Sequence, residues 1–177
     1  LNTTELDFER GIQEVSYGYS WNVKNKYSHT LEPIAFSAVE VTKSEDFEDR
    51  INSLNDKLLA ASFQNHIISA SRYRFVYNPR SSARKSRLKY YYDGNVESAG
   101  NILNTFYKIT NQPIDEITES YNILGIQFAQ YLKTQHDFRV YNKINDKSSL
   151  VFRFIGGLGV PLQNSSVALP FEKSFFA

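Results

Sequence analysis

The chain has 177 residues, with 20 Lys and Arg against 19 Asp and Glu, and its net charge of +1 gives no electrostatic basis for binding nucleic acid. It has no cysteine, which excludes disulfide bonds and thiolate metal sites. No stretch approaches the ~18 consecutive apolar residues of a spanning helix, which excludes a helical membrane protein. The chain has no methionine and stops at Ala177 within an aromatic run, so we expect a piece of a longer protein.

Two strands are predicted near the start of the chain. Apolar and polar residues alternate over residues 15–24, which is the period of a strand with two differently solvated faces. A second strand is predicted over residues 30–41, with Ile34, Phe36 and Ala38 on one face. Pro33 lies inside it, so we expect a bulge there, because proline cannot donate a hydrogen bond to a neighbouring strand.

A short amphipathic helix is predicted within the long connection at residues 42–66. Its apolar residues follow helical spacing and are Phe47, Ile51, Leu54 and Leu58. Ser44 precedes them as the expected N-cap, followed by acidic residues in the first turn. We expect this helix to cover the end of the folded domain, and a helix that binds a partner is the alternative.

Four further strands are predicted over residues 67–77, 88–97 and 124–143 and from residue 150 onward. In each of them aromatic or aliphatic residues alternate with charged or polar ones. The third of these is expected to be the longest strand. The intervening stretch of residues 98–120 is predicted to be a polar connection.

Strand length and the order of the connections indicate the fold class. The predicted strands run to ten or more residues, against a mean of about 5–6 in globular proteins, whereas a tilted membrane-spanning strand needs about 9–11. Short turns at residues 25–29, 78–86 and 142–148 alternate with the two long connections, as in outer-membrane barrels. We therefore predict an all-β fold, an antiparallel transmembrane β-barrel of which this chain forms about six strands. A soluble antiparallel sheet with one packed face is the alternative for any single strand.

The two faces of the strands are assigned from the cost of placing charge in lipid. An arginine on the lipid face at mid-bilayer costs roughly 2–4 kcal/mol, and Arg72 and Arg74 share one face. We expect the aromatic residues to face lipid, namely Tyr17, Tyr19, Trp21, Tyr73, Phe75, Tyr90, Tyr92, Phe152 and Phe154. We expect the charged residues to line a wet lumen, namely Arg72, Arg74, Lys89, Asp93, Glu97, Lys133, Asp137, Arg139 and Arg153.

The end of the chain resembles a known family. A glycine-rich strand with Gly157, Gly159 and Pro161 is followed by an Asn164–Ser165 pair and by a run that includes Leu169, Pro170, Phe171, Glu172, Phe175 and Phe176. This pattern resembles the strand leading into the lid loop of the bacterial surface antigen superfamily, the outer-membrane assembly factors of BamA and TamA type. Residues 95–101 also resemble a strand-end segment of these barrels.

The resemblance implies a function and a location. Such proteins have a 16-stranded barrel preceded by POTRA domains, and residues 1–177 would be a partial barrel domain holding strands six to eleven. The function implied is insertion of client β-barrel proteins into the outer membrane of a Gram-negative bacterium, without ATP. Partners would be outer-membrane lipid, client barrels and accessory lipoproteins, and the predicted helix would lie in an extracellular loop. A BamA-like or a TamA-like protein is equally compatible with these residues.

The sequence shows no catalytic pattern. His29, His66 and His136 are scattered without metal-site spacing, and no serine lies in a G-x-S-x-G elbow. The glycines of residues 156–159 lack the spacing and the lysine of a phosphate loop. We expect no enzyme, metal or cofactor. The alternatives to an assembly factor are a passive channel or secretion pore of the same type, or a barrel tethered to a lipid hydrolase domain.

Overall fold

The computed structural model describes residues 8–56, 59–60, 63–79, 86–115, 119–165 and 169–175. Its elements in chain order are β1 (Phe8–Val23), β2 (Tyr27–Lys43), α1 (Glu45–Ser53), β3 (His66–Tyr77), β4 (Leu88–Ala99), α2 (Asn101–Ile109), β5 (Asn122–Ile123), β6 (Ile126–Gln127), β7 (Tyr131–Lys143) and β8 (Ser149–Pro161). Two 3-10 turns, Gln163–Ser165 and Phe171–Lys173, follow β8.

The six long strands form one antiparallel sheet in the order β1-β2-β3-β4-β7-β8. Each strand pairs with the next long strand along the chain, so the sheet is a meander. The all-β prediction is confirmed, as is the number of long strands. Over the residues described, the sheet stays open, with β1 and β8 at its edges.

The bulge expected at Pro33 is confirmed. The pairing of β2 with β3 shifts between Glu32 and Ala35, and the pairing of β1 with β2 shifts between Tyr17 and Tyr19. Pro33 has no N–H to donate, so its strand leaves the regular ladder at this point. The Ser71 hydroxyl donates a hydrogen bond of 2.7 Å to the Pro33 carbonyl and anchors the bulge.

The prediction for residues 124–143 is wrong over its first part. β7 begins only at Tyr131, and the preceding residues form the small β5–β6 hairpin. Leu124 and Gly125 have φ values of 53° and 79°, which make the tight turn of this hairpin and cannot occur within a strand. Phe128 is fully buried and forms a parallel bridge with Ile67, beyond the end of β4.

Of these two helices, the sequence predicted α1 but not α2. α1 is confirmed, and the Ser44 side chain accepts a hydrogen bond of 3.3 Å from the N–H of Phe47. Leu54 lies just past its end and is exposed, and Leu58 lies outside the described residues. α2 was predicted as polar connection. It has no side-chain N-cap, because Gly100 precedes it, and its apolar residues do not form a single buried stripe.

The buried apolar residues gather at the end of the sheet where the long connections fold back. One cluster is formed by Ile68, Ala70, Ala99, Ala129 and Tyr131. Two others join α1 to β2, and α2 with the β5–β6 hairpin to the start of β3. Within the described part of the chain, no helix has both the length and the apolar composition needed to cross a bilayer.

Gly100 makes the junction between β4 and α2 possible. It has a φ of 68°, and its N–H donates a hydrogen bond of 2.8 Å to the Ser69 carbonyl. A Cβ at this position would lie 2.4 Å from the Ala129 carbonyl oxygen. The junction therefore needs both the left-handed conformation and the absence of a side chain.

We predict that Gly100→Ala destabilises the fold by roughly 2–5 kcal/mol, combining about 1–2 kcal/mol for the left-handed conformation with about 1–3 kcal/mol for overpacking. Gly125→Ala is the control, because Gly125 also has positive φ but no atom within 4 Å of its Cβ position. Urea unfolding followed by the fluorescence of Trp21 measures both changes. An equal loss in the two variants would contradict the role assigned to the Ala129 contact.

Candidate functional site

The register places all nine predicted aromatic residues on one face of the sheet and all nine predicted charged residues on the other. Tyr19 stands in a row with Tyr73, and Trp21 stands in a row with Phe75. We call these the aromatic face and the charged face. The aromatic face is largely exposed along its length, with Phe154 at 69%.

Arg72 is the centre of an ion network on the charged face. Its Nη1 lies 2.6 Å from Glu14 Oε1 and 3.3 Å from Glu32 Oε2, and its Nε lies 3.5 Å from Glu97 Oε2. The register explains the last two contacts, because Glu32 on β2 and Glu97 on β4 are the direct neighbours of Arg72. One guanidinium thereby links four adjacent strands.

Glu97 is almost fully buried and makes two further contacts. Its Oε1 accepts a hydrogen bond of 2.5 Å from the Tyr131 hydroxyl and lies 2.9 Å from Lys173 Nζ. Lys173 belongs to the segment after β8, so this buried carboxylate joins the sheet to that segment. A carboxylate removed from water needs such partners, because isolated burial of its charge is strongly unfavourable.

Residues 169–175, which we call the docked segment, lie across the charged face near Gly157 and Gly159. A Cβ on Gly159 would lie 2.4 Å from Leu169 Cδ1, and one on Gly157 would lie 2.6 Å from the Phe175 ring. Lys133 Nζ donates a hydrogen bond of 2.6 Å to the Lys173 carbonyl and lies 4.4 Å from the centre of the Phe175 ring. The two glycines therefore provide the space that the docked segment occupies.

Glu172 fixes the other side of the docked segment. Its Oε1 is hydrogen-bonded to His66 Nε2, and its Oε2 lies 3.9 Å from Arg10 Nη1. His66 Nδ1 lies 2.9 Å from the carbonyl oxygen of Gln64, which can only accept. The Arg10 guanidinium also lies 4.5 Å from the centre of the Phe171 ring, a cation–π distance.

The pKa of Glu172 follows from these contacts. Burial raises the pKa of this carboxyl group, whereas the hydrogen bond from His66 and the charges of His66 and Arg10 lower it. The lowering is the larger effect, so the pKa lies below the ordinary value for glutamate. The ionised form of Glu172 is the one that holds the docked segment.

The Asn164–Ser165 pair has a separate structural role. Asn164 is buried, donates to the carbonyl oxygens of Tyr121 and Phe128, and accepts from the Tyr121 N–H at 2.6 Å. Its own N–H donates to the Gln130 side chain at 2.9 Å. These bonds tie the end of β8 to the β5–β6 hairpin and the start of β7.

The remaining charged residues form pairs nearer the short turns. Arg74 makes a two-pronged contact with Asp93, at 2.9 and 2.6 Å. Asp137 accepts from both Arg139 and Arg153, at closest distances of 2.5 and 2.7 Å. Lys89 shares this face by its register opposite Tyr141. Charges of opposite sign thus lie side by side along the whole face.

The three histidines make separate contacts. His29 stacks on Trp21 and bonds the Tyr73 hydroxyl at 2.8 Å, and His136 bonds the Tyr92 hydroxyl at 2.8 Å. Among the described residues, no group of three His, Asp or Glu side chains could hold a metal ion.

Sequence reasoning missed several members of the site. Glu14 lies on the polar parity of its strand but received no role. Glu32 has the same sequence parity as Ile34 and Phe36, and only the bulge at Pro33 places it on the charged face. Lys173 stood inside the motif without an assigned contact, and Tyr131 was read as an ordinary strand residue. Arg10 and His66 carried no signal, because their partner Glu172 is distant in sequence. Phe176, a predicted member of the motif, lies outside the described residues.

The chain matches no protein-family model, no curated protein and no solved structure.

We predict that Gly157→Val and Gly159→Val release the docked segment, because the added methyl groups overlap Phe175 and Leu169. Overpacking of about 1–3 kcal/mol corresponds to roughly 5- to 150-fold faster hydrogen exchange through local opening. Hydrogen exchange of the amides of residues 169–175 measures the effect. Gly156→Val is the matched control, because its Cβ points to the aromatic face and meets only Phe154 at 3.5 Å. Unchanged hydrogen exchange in both test variants would contradict the packing of the docked segment against Gly157 and Gly159.

We also predict that acid releases the docked segment through Glu172. Its folded-state pKa is lowered, so its stabilising contribution is fully present above the ordinary pKa of glutamate and is lost as the pH falls through the lowered value. A polarity-sensitive dye on Ser174→Cys reports the release during a titration from pH 7 to acid. Glu172→Gln in the same labelled background should lose this step, and identical pH profiles in the two proteins would exclude Glu172 as its source.

Proposed function

We propose that this chain forms part of the wall of an outer-membrane β-barrel, in a protein of the bacterial surface antigen superfamily that inserts and folds other β-barrel proteins. The observation that carries the proposal is the arrangement of the two faces. The aromatic face is exposed, whereas the charged face pairs its ions and is partly covered by the docked segment. A soluble antiparallel sheet would do the reverse and pack its aromatic face.

The height of the apolar band agrees with a bilayer. On β8, the residues of the aromatic face run from Leu150 to Val160, a span of ten residue-to-residue rises. At about 3.3 Å per residue and a tilt of about 40°, this span covers roughly 25 Å along the membrane normal. The outward apolar band of outer-membrane barrels has about the same height.

The aromatic residues also occur where a membrane interface would place them. Near the short turn at residues 24–26, Trp21 stacks on His29 and Tyr27 stacks on Tyr77. Rings with a polar atom favour the boundary between hydrocarbon and water. This end of the sheet would lie at the periplasmic side, because short turns do so in such barrels.

The docked segment supports an assembly factor over an open pore. It carries the motif that resembles the lead-in to the lid loop, and it lies over the charged face through Lys173 and Glu172. A passive channel is the second candidate, because a charged face suits an aqueous path. Single-channel conductance of the intact protein separates the two: a steadily open pore would favour transport.

We predict that Tyr90→Arg impairs the folded barrel, at up to roughly 2–4 kcal/mol for a charge deep in lipid. Lys89→Ala and Tyr91→Arg should have smaller effects, because residues 89 and 91 share the charged face with Arg139. Heat-modifiable mobility on gels, after folding into lipid, reports the folded fraction. Equal mobility shifts for Tyr90→Arg and Tyr91→Arg would count against this orientation of the sheet.

We predict that depletion of the intact protein lowers the amounts of folded outer-membrane proteins in the cell that produces it. Quantitative analysis of heat-modifiable outer-membrane proteins measures the change, and re-expression of the protein should restore it. Unchanged levels after depletion and after removal of any related protein would reject the assembly role.

A further inference from the structure

α2 turns its apolar stripe away from the protein. Ile102, Phe106 and Ile109 lie at positions i, i+4 and i+7 and are 74%, 56% and 75% exposed. The buried side includes Asn104, which is 5% exposed and donates a hydrogen bond of 2.9 Å to the Gln130 side chain. A helix on a water-soluble surface normally buries such a stripe and exposes its amides. α2 packs Leu103 and Tyr107 inward but leaves this second apolar stripe exposed, so its outer surface is suited to an apolar environment.

The position of α2 relative to the sheet follows from its buried contacts. Leu103 and Tyr107 pack against the cluster that contains Ile67. Ile67 stands opposite Ala38 in the register and therefore belongs to the aromatic face. The side chain of Asn101 also bonds the Ser98 hydroxyl at 2.8 Å, and Ser98 lies on that face as well. α2 therefore lies on the aromatic side of the sheet, at the end that carries the long connections.

The charge of this region differs from that of α1. Residues 98–114 contain no Asp or Glu, and their only charged residue is Lys108. α1 carries four acidic residues, Glu45, Asp46, Glu48 and Asp49. A bilayer surface with anionic headgroups attracts a helix with the composition of α2 and repels one with that of α1. The two connections at the same end of the sheet are thus distinguished by charge.

We infer that α2 lies in the interfacial layer of the bilayer, with Ile102, Phe106 and Ile109 inserted at the boundary between headgroups and acyl chains. This inference rests on the proposed function, because it requires the aromatic face to meet lipid. Lipid is the occupant because the stripe continues the aromatic face beyond the end of β4. Amphipathic helices with an apolar face of this kind lie in the plane of the membrane interface.

Site-directed spin labelling of the intact protein tests the inference. The sequence has no cysteine, so Ile102→Cys, Phe106→Cys or Ile109→Cys gives one labelling site in this chain. The labelled protein is folded into vesicles of phosphatidylethanolamine and phosphatidylglycerol. Collision of the nitroxide with oxygen, which concentrates in lipid, is compared with collision with a water-soluble nickel chelate. We expect the oxygen-to-nickel ratio at all three positions to be several-fold higher than at Asp49→Cys on α1.

A label at Tyr90→Cys on the aromatic face separates this inference from the proposed function. If the labels at residues 102, 106 and 109 collide mainly with the nickel chelate while the label at residue 90 collides mainly with oxygen, the inference is overturned and the barrel proposal stands. If the labels at residues 102, 106 and 109 are shielded from both reagents, the interfacial position of α2 is also overturned, because another protein surface would then cover the helix. A Tyr90 label that meets the nickel chelate would overturn the barrel itself. Heat-modifiable mobility of each labelled protein shows that it has folded.

Discussion

The pairing of Arg72 with Glu97 is the contact on which the arrangement of this sheet depends. The two residues face each other across β3 and β4, and Glu97 is almost fully buried. Breaking a buried ion pair costs roughly 3–5 kcal/mol, which strongly favours this register. A slip by one residue would move every side chain of a strand to the opposite face. This pair therefore favours the register of β3 with β4 that keeps rings and charges on opposite faces of these two strands.

The same carboxylate explains why the docked segment belongs to the sheet. The strands alone supply three acids to the network, Glu14, Glu32 and Glu97, but only Arg72 and Lys133 as bases. Lys173 from the docked segment adds the third positive charge, at 2.9 Å from Glu97. Lys173 thus gives the buried Glu97 carboxylate a second positively charged contact besides Arg72. Loss of the segment would leave a buried acid with too few partners, which links its position to the stability of the sheet.

The two long connections have different surfaces although they leave the same end of the sheet. α1 packs Ile51 against Val39 and Val41 and presents acidic residues outward. α2 packs an amide and two large side chains inward and presents isoleucine and phenylalanine outward. In the proposed barrel, the first arrangement suits water above the membrane and the second suits its interface. This contrast connects local composition with the environment that each connection would meet.

Alternation and capping act between residues that are close in the chain, so the amino-acid pattern alone indicated the six long strands, most of their two faces and α1. Pairing over long separations was decided by the tertiary structure: Arg72 meets Glu14 across 58 positions, and His66 meets Glu172 across 106. The amino-acid pattern also did not indicate the outward face of α2 or the late start of β7. Both depend on the burial of Phe128, which bridges Ile67 and contacts the Tyr107 ring of α2. Local periodicity specifies which side of a strand a residue occupies. Only the folded chain specifies which distant charge completes its environment.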